Sequence, residues 1–143
     1  MESLATFIKS PSRNHLVFSN GCLDCIGYMN VGLEISSYIE EILNDRKLSM
    51  RAQDFLNTKL RTGICHSNDI GDYIALTNVG ILFEPALKFD IEGLFNRWSQ
   101  NITLIIDMGQ GGVRDGRFYL VDNISEDYSV ALGTINYIVL SEN

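Results

Sequence analysis

Three nearly continuous apolar runs stand out along the chain, at residues 15–19, 73–77 and 102–106. Short apolar runs bounded by polar residues are typical of strands that are buried on both faces. We therefore predict that these runs form the core of a sheet. The third run is the most strongly β-prone, and it ends at Asp107, where a polar stretch begins.

Between these runs, apolar residues recur at the i, i+3, i+4, i+7 spacing of an amphipathic helix. The first predicted helix carries a stripe of five such residues: Ile35, Tyr38, Ile39, Ile42 and Leu43. The second is predicted from Ser49, a good N-cap, to about Arg61, with Gly63 as a left-handed stop. Asp90 is predicted to cap the third, whose apolar face carries Ile91, Leu94, Phe95 and Trp98.

The last part of the chain predicts two short strands, at residues 118–121 and 137–140. Asp115 and Gly116 suit a tight hairpin turn just before the first of them. The acidic stretch 122–129 reads as a loop between the two strands.

Strand, helices, strand, helix, strand and then short strands is the element order of an α/β fold with a mostly parallel sheet. We predict three layers, with helices on both faces of the central sheet, and a C-terminal hairpin. Residues 1–14 are expected to be an extension or a short helix, 15–143 a single domain, and 64–72 a loop. Ligands of such sheets bind beyond the carboxyl ends of the strands. Three places follow such ends: residues 20–30, Asn78 and residues 107–112.

The first of these places is where a phosphate-binding loop would lie. The motif G-x-x-x-x-G-K-[ST] supplies inward N–H groups, a lysine for the phosphates and a hydroxyl for magnesium. Gly21 and Gly27 lie in the right region, but they are six residues apart instead of five. Tyr28 and Met29 follow them in place of the lysine and the hydroxyl.

The acid that would position magnesium from a neighbouring strand is also replaced, here by Thr77 and Asn78. Losing the cation and the carboxylate together removes the groups that favour triphosphate binding, so bound ATP and magnesium are disfavoured. Asp107 is the best-placed acid, but a single carboxylate without a base, nucleophile or metal partner specifies no reaction. The residues of this degenerate nucleotide site are Asn20, Gly21, Gly27, Thr77, Asn78 and Asp107.

Cysteine spacing raises a second possibility. Cys22 and Cys25 have the C-x-x-C spacing of a redox pair or half a zinc site, and Cys65 with His66 would have to supply the other half. Adjacent Cys65 and His66 do not easily reach one metal, and a second C-x-x-C is missing. A zinc site, a redox pair and ordinary loop cysteines remain the three alternatives, and these residues are weak metal candidates.

Composition limits the classes of function. The chain has 143 residues, 45% of them apolar, and a net charge of −7, which disfavours unaided binding to nucleic acid. Its start lacks the pattern of a secretory signal, and no run approaches the length of a membrane span. We expect a cytoplasmic protein with reduced thiols and without membrane contact. The glycine-rich stretch 109–117, with Arg114 and Arg117, reads either as an anion-binding nest or as a flexible turn.

Two stretches, NVGLEISSYIEEIL at residues 30–43 and YIALTNVGILFEPALKFDIEGLFNRWSQNITLIID at residues 73–107, resemble one known family. It is the small P-loop protein of bacteriophage exclusion (BREX) defence systems, the BrxF family. The family's N-x-x-L-E-x-S helix start is matched by Asn30, Leu33, Glu34 and Ser36. Its segment after the second strand is matched by Leu82, Phe83, Pro85, Leu87 and Asp90.

The resemblance spans roughly residues 15–140 and implies the P-loop NTPase fold and a role in anti-phage defence. Residues 21–29 stand where the family's Walker A loop would be, and Thr77 stands where its Walker B acid would be. We therefore expect a pseudo-ATPase that binds or regulates other protein subunits of a defence complex, with an oligomer compatible with that role. Tyr28 and Tyr128 are interpreted as exposed aromatic residues compatible with a protein partner.

Two alternatives remain open. The first is a nucleotide-binding or hydrolysing enzyme in which Arg114 or a partner's lysine replaces the missing cation. The second is a zinc-stapled interaction module.

Overall fold

The computed structural model describes residues 2–121 and 128–140. The helices are α1 (Glu2–Lys9), α2 (Val31–Ile39), α3 (Leu48–Thr62) and α4 (Ile91–Asn101). The strands are β1 (Leu16–Ser19), β2 (Tyr28–Asn30), β3 (Cys65–Ser67), β4 (Gly71–Thr77), β5 (Thr103–Asp107), β6 (Gly112–Arg114), β7 (Arg117–Tyr119), β8 (Ser129–Ala131) and β9 (Tyr137–Leu140). Two 3-10 turns, Val79–Phe83 and Pro85–Leu87, connect β4 to α4.

A mostly parallel sheet forms the centre of the fold, in the order β2-β4-β5-β1-β9, with β3 added antiparallel along β4. The three apolar runs are neighbours in this sheet, because β5 lies between β1 and β4. Ser19, the last residue of β1, pairs with Asp107, the last residue of β5. The carboxyl ends of β1, β5 and β4 therefore meet at one edge of the sheet, as predicted for the candidate site.

Side chains alternate between the two faces of the sheet, and each face has its own core. Phe18 and its equivalents on β4 and β5 pack under α2, α3, α4 and the second sheet. Val17, Tyr73 and Ile105 pack on the opposite face against Leu4 of α1, which is fully buried. The predicted α/β class, with a mostly parallel sheet flanked by helices, is confirmed.

The second sheet is antiparallel and consists of β6, β7 and β8. Asp115 and Gly116 form its tight turn with φ values of 51° and 74°, so the predicted hairpin is confirmed. The two last predicted strands do not pair with each other. The first belongs to this hairpin sheet, whereas β9 joins the central sheet parallel to β1. The predicted acidic loop lies mostly at 122–127, outside the described residues, and β8 begins at its end.

Several predicted boundaries are wrong. The segment predicted to be a loop contains β3, which pairs antiparallel with β4. The first helix ends at Ile39, where i to i+3 hydrogen bonds replace the helical ones, and Leu43 is 59% exposed instead of lying on a buried stripe. Tyr38, near the end of the helix, stacks on Phe55 of α3. Among the described residues, no helix is both long enough and apolar enough to cross a membrane.

The ends of α3 also differ from the prediction. The helix begins at Leu48, with Lys47 in the cap position, so Ser49 is not the N-cap. Gly63 follows the helix but has a φ of −92°, so it is not a left-handed stop. A Cβ at Gly63 would press on the terminal methyl group of Met29, so that flexible side chain would have to move to accommodate a larger residue.

The connection from β1 to β2 departs most from the prediction. The loop predicted at residues 20–30 does end where a helix begins, with Asn30 as the N-cap of α2, but its last three residues form the strand β2, which is not predicted. Leu23 and Ile26 pack against the face of the sheet that carries Val17, Tyr73 and Ile105. The loop therefore crosses the sheet on the α1 face, and we call residues 20–27 the crossover loop.

Candidate functional site

The side chain of Asp107 lies where the ends of β1, β4 and β5 meet. Its Oδ1 accepts hydrogen bonds from the backbone N–H of Gly21, at 3.1 Å, and of Gly109, at 3.0 Å. Its Oδ2 accepts the Thr77 Oγ1 hydroxyl at 2.7 Å and the Cys22 thiol at 3.8 Å. One carboxylate thus joins three strand ends, and we call this arrangement the Asp107 clasp.

The clasp leaves the carboxylate little capacity for chemistry. A carboxylate has about four lone-pair positions, and four donors from this chain point at Asp107. All four donors are uncharged, so the negative charge is stabilised by backbone and hydroxyl dipoles. A metal ion or a substrate proton would have to displace one of these donors. The Asp107 carboxylate is therefore arranged to hold the strand ends together rather than to act as a general base.

The crossover loop is fastened by two tyrosine hydroxyls as well. The Tyr28 hydroxyl accepts the Leu23 N–H at 3.0 Å and lies 3.1 Å from Ser19 Oγ, which donates to the Gly21 carbonyl. Burial raises the pKa of Tyr28, so this hydroxyl stays protonated. Tyr28 is half-buried, and its interpretation as an exposed aromatic residue is wrong. Tyr128 is 48% exposed.

The two glycines of the presumed phosphate loop have different surroundings. Gly21 has a φ of 89° and points its N–H at Asp107. Gly27 donates its N–H to the Tyr73 hydroxyl, at 3.0 Å, on the α1 face of the sheet. The loop therefore does not direct its N–H groups toward one point, as a phosphate cradle requires.

Asn78 turns away from the clasp. It adopts a left-handed φ of 58° and donates from Nδ2 to the Asn30 Oδ1 at 2.9 Å. Asn30 also caps α2 by accepting the Leu33 N–H. Asn20 lies exposed at the end of β1. Of the six predicted site residues, the structure brings together Gly21, Thr77 and Asp107.

Sequence reasoning missed the contributions of Ser19 and Tyr73. Ser19 and Tyr73 belong to buried strands, where their hydroxyls have no motif to mark them. Gly109 was part of the predicted nest, and its φ of 60° with an N–H on an anion supports that interpretation. The anion it binds belongs to this chain.

The weak metal candidates lie in separate places. Cys22 contacts Asp107, while His66 lies on β3, where its Nδ1 is 2.9 Å from the Asp72 carboxylate. All three cysteines are free and exposed. Within residues 2–121 and 128–140, no three histidine, cysteine or acidic side chains are grouped so that they can hold a metal ion.

The pKa of the Cys22 thiol depends on the Asp107 clasp. Partial burial raises its pKa, and Asp107 raises it further through its charge and by accepting the S–H. A raised pKa leaves less thiolate at a given pH. We expect Asp107→Asn to accelerate the alkylation of Cys22 by iodoacetamide at pH 8 by roughly two- to fivefold. Timed labelling followed by peptide mass spectrometry measures this rate.

Cys25, in the same loop, is the control for this measurement. If the substitution merely loosened the loop, Cys25 would be alkylated faster as well. The effect on Cys22 should shrink as the pH rises above its pKa, because both variants are then fully thiolate. An unchanged rate at Cys22 would show that the thiol and Asp107 do not interact.

Taken together, the site consists of a saturated carboxylate, a protonated tyrosine network and a thiol of raised pKa. This arrangement can hold three strand ends together, but it presents neither an available base nor an activated nucleophile. No protein-family model matches the chain, and no curated protein or solved structure matches it significantly.

Proposed function

We propose that this chain is a non-catalytic subunit with a P-loop-like fold, which acts by protein binding or regulation in a bacterial anti-phage defence assembly. One observation carries the non-catalytic part. At the carboxyl end of β1, where the resemblance implies a phosphate site, the Gly21 N–H and the Thr77 hydroxyl are bonded to the carboxylate of Asp107.

The strand order supports the P-loop-like fold. Numbered along the chain, the five parallel strands lie in the order 5-1-4-3-2. This differs from the Rossmann order 3-2-1-4-5-6 and the flavodoxin order 2-1-3-4-5. If the Walker A loop follows β1 and the Walker B position is Thr77 of β4, as the resemblance to the P-loop family implies, then one strand, β5, lies between these two strands. The crossover loop departs from that fold, because it enters β2 instead of a helix.

Electrostatics support the absence of nucleotide binding. The chain has no lysine between Lys9 and Lys47, so the crossover loop supplies no ammonium group. A phosphate oxygen brought to about 4 Å from Asp107 would meet a repulsion of about 1 to 4 kcal/mol. Arg114, suggested as a replacement cation, lies over the ring of Tyr119, 4.2 Å from its centroid.

Four large apolar residues in or beside α2 and α3 are between 41% and 60% exposed: Leu33, Leu43, Met50 and Ile64. Met50 and Ile64 lie at opposite ends of α3, so the four do not form one patch, and single exposed apolar residues are ordinary on a protein surface. The protein-binding role therefore rests on the resemblance to the BrxF family, as does the place of the chain in anti-phage defence.

Two measurements test this proposal. The chain, tagged in its native host, should co-purify stoichiometrically with products of flanking genes that encode a methyltransferase, a helicase or a nuclease. The isolated chain should hydrolyse ATP and GTP no faster than a buffer blank. Flanking genes unrelated to defence would contradict the assembly. Magnesium-dependent hydrolysis that Thr77→Val abolishes would contradict the non-catalytic role, whereas hydrolysis unaffected by Thr77→Val would indicate a contaminant.

A further inference from the structure

The donors of the Asp107 clasp are held in place by contacts that do not involve the Asp107 side chain. The Gly21 carbonyl accepts the Ser19 hydroxyl at 2.8 Å, and the Ser19 carbonyl accepts the Met108 N–H at 2.9 Å. Gly111 then donates to the Met108 carbonyl at 2.8 Å. These bonds fix the backbone on either side of Gly21 and Gly109, so both N–H groups keep their direction.

Thr77 is held independently as well. It is the last residue of β4 and pairs with Asn30 of β2. The three strongest donors of the clasp therefore come from three strand ends, each anchored in the sheet or by a loop bond. Two of them are N–H groups of glycines at positive φ, 89° at Gly21 and 60° at Gly109, a conformation that glycine adopts at little cost.

We propose that the Gly21 and Gly109 N–H groups and the Thr77 hydroxyl form a preformed site for a small oxyanion, in which Asp107 is the resident ligand. In the wild-type chain this contact excludes external oxyanions from the site. This inference deepens the proposed function and rests on the same site. Without the Asp107 side chain, a free carboxylate or inorganic phosphate takes its place.

The three groups of the proposed site favour an anion over a cation. The Gly21 N–H, the Gly109 N–H and the Thr77 hydroxyl all donate hydrogen bonds to the Asp107 carboxylate. When the carboxylate is removed, they point into one space that has no negatively charged group to bind a cation. Formate has the size and planarity of the group that Asp107→Ala removes. Inorganic phosphate is larger and carries more charge, so it tests whether the site also accepts a tetrahedral oxyanion.

The test is chemical rescue of Asp107→Ala. Urea unfolding is followed by circular dichroism in sodium formate, in sodium phosphate and in sodium chloride at equal ionic strength. At a formate concentration ten times its Kd, the unfolding equilibrium constant should fall about tenfold relative to chloride, with a saturable dependence on concentration. The wild-type chain, in which Asp107 fills the site, should show no such difference.

Two control variants exclude non-specific effects. Asp69→Ala removes a carboxylate from an exposed turn, so it matches the change in net charge. Leu56→Ala removes a side chain that is 1% exposed and leaves a cavity, so it is expected to destabilise the chain as Asp107→Ala does. It tests whether formate stabilises any destabilised variant. Asp107→Ala could be unfolded already in sodium chloride. In that case, Leu56→Ala is first unfolded to the same extent with urea. The folded fraction that formate restores is then compared between the two variants.

Saturable stabilisation by formate or phosphate that is confined to Asp107→Ala supports the site. If both anions affect Asp107→Ala no more than they affect the two controls, the inference is overturned. That failure would leave the proposed function standing, because the latter depends on whether the wild-type chain binds nucleotide.

Discussion

Replacing Asp107 with alanine is expected to lower the free energy of unfolding by about 3 kcal/mol. The substitution removes one carboxylate that accepts hydrogen bonds from three strand ends, among them the 2.7 Å bond from Thr77. Bonds to a charged group contribute roughly 1.5 to 3 kcal/mol each, and partial access of water to the freed N–H groups reduces the total loss. Urea unfolding followed by circular dichroism measures this change.

Two variants show whether the clasp itself is responsible. Asp107→Asn keeps an oxygen for the Gly21 and Gly109 N–H groups, while the Thr77 hydroxyl can rotate to accept from the amide, so about 1 kcal/mol should be lost. Asp69→Ala, in an exposed turn, should change stability by less than about 0.5 kcal/mol. If Asp107→Ala destabilises the chain no more than Asp69→Ala does, the clasp is not a stabilising element.

Gly111→Ala is expected to destabilise the chain by about 3 kcal/mol, the upper range for overpacking. A Cβ at Gly111 would lie 2.1 Å from the Tyr119 carbonyl oxygen and 2.6 Å from that of Leu120. Because both neighbours are backbone atoms, no side-chain rotation relieves the clash. The loop after β5 would have to move away from β7, and the Gly109 N–H would move with it. Thermal unfolding measured by calorimetry records the loss.

Gly80→Ala is the matched control for Gly111→Ala, because Gly80, in the 3-10 turn Val79–Phe83, also faces Leu120. A Cβ there would meet only the Leu120 side chain, at 3.6 Å, which is ordinary van der Waals contact. We expect a change within about 0.5 kcal/mol, since alanine also restricts the unfolded chain. Equal effects of the two substitutions would mean that the contact of Gly111 with the β7 backbone is unimportant.

Much of the fold could be predicted because its signals are local. The apolar runs of β1, β4 and β5 allow little but buried strands. Asp90 is followed by a helical stripe, and its side chain does accept the Gly93 N–H at 3.1 Å, as a cap should. These features depend on neighbouring residues, so periodicity and capping rules identify them.

The elements that escaped prediction have no clear apolar pattern of their own. β3 consists of Cys65, His66 and Ser67, and it is a strand because β4, which follows after only three residues, offers it hydrogen bonds. The crossover loop packs on the sheet because Leu23 and Ile26 contact an apolar sheet face that is formed by distant segments. In both cases the structure depends on the neighbouring element rather than on the residues of the segment itself.

The site was predictable only in part. Asp107 was recognised as the best-placed acid, since it ends the most β-prone run. Gly21 and Thr77 are also predicted site residues, as parts of a degenerate nucleotide site. Their hydrogen bonds to Asp107 could not be predicted, because a backbone N–H group leaves no residue type to search for and the contacts join segments far apart in the chain. In the structure the Asp107 carboxylate accepts four donors of this chain, three of them far from it in sequence.

The central claim is that the loop beyond β1 is closed by the carboxylate of this chain and does not hold a nucleotide. Isothermal titration of Mg²⁺–ATP, and separately of Mg²⁺–GTP, into the isolated wild-type chain tests it most directly. The account predicts no saturable heat, which corresponds to a Kd weaker than about 1 mM, or less than about 4 kcal/mol of binding free energy. A micromolar Kd that Thr77→Val weakens would contradict it.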